Sequence, residues 1–68
     1  MTLEEIVEAG GAAYIGRLGD SVRFRDPKDD FVFTLYVSAV SVENVRLTLK
    51  NHREDLVDPW WAPVKVSA

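Results

Sequence analysis

The run at residues 31–40, FVFTLYVSAV, constrains this chain more than any other stretch. It is the longest string of β-branched and aromatic residues in the sequence. Phe31, Phe33, Leu35, Val37 and Ala39 alternate with Val32, Thr34, Tyr36 and Ser38. In an extended backbone the first set faces one side and the second set the other. A helix does not fit, because the apolar positions form no 3.6-residue stripe and β-branched side chains crowd a helical turn. The run is therefore predicted to be a central strand with one buried face, and Phe33 and Leu35 to be core residues.

A chain of 68 residues is expected to fold as one domain, 1–68. So small a core leaves a net stability of roughly 3–5 kcal/mol, so each large apolar side chain matters. Hydrophobic residues make up 47% of the sequence, which argues against disorder. There is no cysteine, which rules out a disulfide framework, a thiolate nucleophile and a zinc–thiolate site. The absence of disulfides, and the early acids Glu4, Glu5 and Glu8 where a secretory signal would be basic, point to a reducing, cytoplasmic setting. No apolar run approaches the ~20 residues that span a bilayer, so no membrane partner is expected. The net charge of −3 is mildly acidic.

Along the chain, Thr2 and Glu5 have the spacing of a capping box, followed by an apolar stripe of Leu3, Ile6 and Val7. Gly10-Gly11 should end this short helix. Residues 12–18 and 21–25 read as strands joined by a two-residue turn at Gly19-Asp20. Pro27-Lys28-Asp29-Asp30 is a polar turn before the central strand. Residues 45–50 alternate Val45, Leu47 and Leu49 with Arg46, Thr48 and Lys50, and the preferred reading is a further strand after a bend at residues 42–44. The rival is a helix capped by Ser41, with Val42, Val45 and Leu49 on one face. Asn51 and Glu54 suggest a helical turn over residues 52–57, ended by Asp58-Pro59. Val64-Lys65-Val66 reads as a last, edge strand. The fold class is α+β: a short N-terminal helix packed on a four- to five-stranded antiparallel meander sheet, or a small open barrel if the last strand closes back. Ile15, Val22, Phe24, Phe33, Leu35, Leu47 and Leu49 would share the buried face.

The same meander gathers Tyr14, Arg23, Arg25, Tyr36, Arg46 and Lys50 on the exposed face. Aromatics interleaved with cations stack bases and contact phosphates, although a solvated sheet face also calls for long polar side chains. The carboxylates fall at the helix start, at the turn (Asp26, Asp29, Asp30) and near the C-terminal bend (Glu54, Asp55, Asp58). Residues 26–30 lack the alternating ligands of a calcium loop, and no metal or cofactor site is indicated. His52 is the sole histidine and belongs to no assignable catalytic arrangement. Trp60-Trp61 is the most unusual dipeptide. Neighbouring strand residues point to opposite faces, so one indole is expected to cap the core while the other stays accessible for contact.

With no catalytic constellation, the expected class is a non-enzymatic interaction protein that binds and blocks a macromolecular partner, either a protein or a protein–nucleic-acid complex. Its contact residues would be Asp29, Asp30, Glu54, Asp55, Trp60 and Trp61. One concrete form is a phage-type inhibitor of a nucleic-acid-handling host defence complex, such as an anti-CRISPR. The alternative is a small nucleic-acid-binding module using the Tyr/Arg sheet face. An exposed strand edge or tryptophan also leaves room for a homodimer.

Overall fold

The computed structural model describes the backbone of residues 1–57 and the side chains of residues 1–55. Trp60, Trp61 and the expected strand at residues 64–66 lie outside the described residues, as does the expected helix stop at Asp58-Pro59. The elements run α1 (Leu3–Ala9), β1 (Ala13–Leu18), β2 (Ser21–Arg25), β3 (Val32–Tyr36), a single 3₁₀ turn (Val37–Ala39) and α2 (Val42–Val57). The fold is α+β: one antiparallel sheet of order β1-β2-β3, with both helices contributing to the core on one of its faces.

Local chemistry accounts for each boundary. The Thr2 hydroxyl accepts the Glu5 amide at 3.2 Å, and the Glu5 carboxylate accepts the Thr2 amide at 3.2 Å, which completes the capping box of α1. Leu18 pairs with Ser21 across the two-residue turn, where Gly19 takes φ 60°. The β2–β3 connection is held by side chains that mimic turn hydrogen bonds: the Lys28 amide donates to Asp26 and the Phe31 amide to Asp29. The alternation of residues 31–40 survives: Phe33, Leu35, Val37 and Ala39 are half-buried while Val32, Thr34, Tyr36 and Ser38 are exposed. Extended structure stops at Tyr36, however, and Phe31 is exposed.

The second half of the chain corrects the sequence reading. Residues 42–50 are helical, so the expected bend at 42–44 and the strand at 45–50 do not form, and the turn at 52–57 is the end of the same helix. The Ser41 hydroxyl accepts the Asn44 amide at 3.0 Å and caps α2. Val45 and Leu49 then fall one turn apart on the buried face, whereas Leu47 points away and is half-exposed. With α2 taking this segment, the described residues form a three-stranded sheet, and the expected closure into a barrel rests on residues 64–66, outside them.

β2 is the central strand. Val22 and Phe24 are fully buried with Val7, Val45, Leu49 and Ala12, and Phe33 and Leu35 pack at the margin of this cluster rather than at its centre. A bulge at Ile15 shifts the β1–β2 register between Tyr14 and Gly16. The extra residue moves Tyr14 off the exposed face where it was expected: it pairs with Phe24 and turns to the core, while Ile15, expected in the core, is left exposed.

Gly10 sits where α1 meets α2. A Cβ there would lie 2.6 Å from Val45 Cγ1 and 2.7 Å from Val45 Cβ, both in the buried core. Gly10→Ala should cost about 1–3 kcal/mol through overpacking, whereas Gly16→Ala, with open space around the new methyl, should be neutral or slightly stabilising. Urea denaturation of the two variants checks this, and equal midpoints would mean that the helices do not cross at Gly10.

Candidate functional site

The polar chemistry of the described chain concentrates where the β2–β3 turn meets α2. Asp26, the residue after β2, is the one fully buried charged side chain among the described residues. Arg53 grips it with two hydrogen bonds, Nε to Oδ2 at 3.0 Å and Nη2 to Oδ1 at 2.9 Å, and the Lys28 amide donates to Oδ1 at 2.9 Å. This fork-to-carboxylate geometry is the strong form of an ion pair. One residue earlier on α2, His52 Nε2 donates to Asp29 Oδ2 at 2.6 Å. The imidazole is also held between aromatic rings, 4.6 Å from Phe31 and 5.1 Å, edge-on, from Phe33. Asp30, at φ 62°, takes the Arg25 guanidinium at 2.6 Å.

Arg53 holds the Asp26 carboxyl below its ordinary value of 3.8; the Lys28 amide adds to this and burial opposes it. Asp29 is lowered by the His52 hydrogen bond and by the Phe31 amide. Arg53 is in turn raised by Asp26. One ligand atom each from Asp26, Asp29 and His52 lies within 4.8 Å of the others, a spacing that suits a divalent cation. Both Asp26 oxygens already accept from Arg53, however, and the guanidinium supplies the positive charge that a metal would bring. The arrangement works as a clamp between turn and helix.

The expected contact residues separate. Asp29 and Asp30 are committed to His52 and Arg25. Glu54 and Asp55 are exposed on α2. Arg46 and Lys50 leave the sheet face altogether because they ride on α2. With Gly10, Gly11, Leu49, Arg53 and Glu54 they line an open groove of about 660 Å³. Tyr14 faces the core. Arg23, Arg25 and Tyr36 do share the outer sheet face, where Arg23 pairs with Thr34. Leu18 and Val32 join them there, opposite Ser21 and Arg25.

The Asp26–Arg53 pair is the feature that the sequence reading missed. A helical wheel starting at Ser41 carries its signal, because His52 and Arg53 then continue the buried line of Val45 and Leu49. No family model matches the chain, and neither a curated protein nor a solved structure shows significant similarity to it.

A carboxylate whose pKa is depressed by folding contributes stability above its unfolded value and loses it as pH falls through the folded value. Wild-type melting temperature should therefore drop as pH is lowered through and below 3.8. In Arg53→Gln, Asp26 is buried without its cation, so its pKa rises and acidification relieves the cost. The stability gap between wild type and Arg53→Gln should narrow as pH falls, followed by circular dichroism melts. A constant gap would show that the pair carries no charge-dependent stability.

Proposed function

We propose that this chain is a non-enzymatic interaction protein that occupies a macromolecular partner through the outer face of its sheet. One observation carries the reading: Leu18, Tyr36 and Val32 are 75%, 70% and 50% exposed around Arg23, on a face that no described element covers. Exposed apolar side chains grouped on one face mark contact surfaces, and tyrosine and arginine are enriched among the residues that dominate binding energy. A non-enzymatic role is supported by how the chemically capable groups are used. His52 is bound to Asp29 and packed against two phenylalanine rings, and the Ser41 hydroxyl caps a helix. Asp29 and Asp30 are engaged internally, so the acidic contribution reduces to exposed groups such as Glu54 and Asp55. Blocking a nucleic-acid-handling defence complex, in the manner of an anti-CRISPR, is the form this reading takes for a short acidic chain.

Affinity capture from the native host supplies the partner, and surface plasmon resonance on variants tests the face. Tyr36→Ala and Arg23→Ala should each raise the dissociation rate at unchanged melting temperature. Joint reversal of Glu54 and Asp55 should mainly slow association. Wild-type binding by both sheet-face variants would remove this surface from the proposal.

The second reading is a nucleic-acid module, favoured by the shared face of Arg23, Arg25 and Tyr36. It is weakened by the Arg25–Asp30 pair and by the net charge of −3. Fluorescence anisotropy with single-stranded DNA and RNA, up to about 10⁻⁴ M protein at low salt, decides it. Binding that weakens steeply with salt supports this module, and absence of binding leaves the protein partner.

A further inference from the structure

We infer that the open edge of β3 pairs with the same edge of a second copy of this chain, antiparallel and two-fold symmetric about Thr34. The ladder between β2 and β3 fixes which groups are free. At its two ends the Asp26 amide donates to the Phe31 carbonyl at 2.9 Å and the Val37 amide to the Asp20 carbonyl at 2.7 Å. Bonding residues alternate along an antiparallel strand. Phe33 and Leu35 therefore turn both N–H and C=O to β2, the Phe31 carbonyl and the Val37 amide close the two ends of the ladder, and Val32, Thr34 and Tyr36 turn their backbone groups to the open edge. Among the described residues no strand pairs with this edge, and the Tyr36 carbonyl, which opens the 3₁₀ turn, is the one outward group already engaged, with a second lone pair to spare.

The edge is self-complementary. In the register centred on Thr34, Val32 meets Tyr36 of the second copy and Thr34 meets its own counterpart, each facing pair exchanging two N–H···O bonds. β-Branched and aromatic residues are favourable cross-strand neighbours. On the other side of the strand the half-buried Phe33 meets the half-buried Leu35 of the second copy. Charge is compatible as well. Residues 31–40 carry no charged side chain, and Asp30 falls opposite Ser38, so no like charges meet. The far edge of the sheet differs: β1 is interrupted by the bulge at Ile15 and carries Arg17. Bulges and charges are the ordinary guards of an edge strand, and β3 has neither. Specific interfaces generally bury about 1,000 Å² or more. A five-residue edge whose outer residues Val32 and Tyr36 are 50% and 70% exposed lies at the small end of that scale, so the pairing is reversible and depends on concentration. It rests on the backbone of the strand edge rather than on the partner reading; the two share Val32 and Tyr36 and leave Leu18 and Arg23 outside the dimer seam.

Sedimentation velocity of the full chain from about 10 μM to 1 mM, with amide exchange followed by NMR over the same range, tests it. The expected result is a monomer–dimer equilibrium in which the Val32, Thr34 and Tyr36 amides become protected as dimer accumulates. Thr34→Lys sets like charges against each other on the two-fold axis and should raise the dissociation constant roughly tenfold or more, at unchanged melting temperature. Val32→Lys and Tyr36→Glu should each weaken the dimer. The double variant sets opposite charges across the axis and should restore it, a rescue specific to this register. A monomer at every concentration overturns the inference. If those amides are then protected even when dilute, the chain's own C-terminal segment covers the edge instead. A dimer indifferent to Thr34→Lys also overturns it.

Discussion

The bidentate pair between Asp26 and Arg53 is the interaction on which the rest of the arrangement depends. A fully buried carboxylate is tolerable only with a cation and hydrogen bonds in place, and Asp26 draws on α2 and on its own turn for both. That requirement fixes how α2 lies on the sheet. Val45 and Leu49 would make α2 adhere to Val22 and Phe24 over a range of angles, since burial of apolar surface has no direction. The Arg53 fork removes that freedom. It brings His52 over Phe31 and Phe33, where the Asp29 contact closes the end of the core next to the turn. At the other end, Gly10 lets α1 approach Val45 closely enough to complete the helix layer.

This division of labour leaves the two faces of the sheet with different characters. The inner face is spent on stability, and most of the ion pairs of the described chain serve the turn beneath it. The outer face carries Leu18, Val32 and Tyr36 with nothing described above them. A chain with so small a core gains little by leaving large apolar groups in water, which is why that face and the adjoining β3 edge are the natural places to look for association.

Much of this was legible in the sequence. The Thr2–Glu5 capping box, the Gly19-Asp20 turn, β2, the acidic turn and the alternation through residues 32–36 all follow from short-range chemistry. The largest failure, residues 42–50, has a plain cause: two local patterns were compatible and a long-range contact chose between them. Val45, Leu47 and Leu49 satisfy an alternating strand, while Val42, Val45 and Leu49 satisfy a helix. The Ser41 cap and the absence of any break before Pro59 favoured the helix locally, and the buried Asp26 requires it. The bulge at Ile15 has no comparable local signal, and one inserted residue sufficed to move Tyr14 from the expected binding face into the core. The proposed nucleic-acid surface lost Tyr14 to that bulge and Arg46 and Lys50 to α2, so its dispersal follows from these two departures alone.

The central claim is that Asp26 and Arg53 act as a unit that anchors α2. A double-mutant cycle with Asp26→Asn, Arg53→Gln and the combined variant, measured by urea denaturation at pH 7, tests it most directly. A coupling energy of about 1.5 kcal/mol or more is predicted, because each single change leaves the other partner without its charge-assisted hydrogen bonds. Single effects that add to within about 0.5 kcal/mol would contradict the account, and would mean that Val45 and Leu49 hold α2 in place without the ion pair.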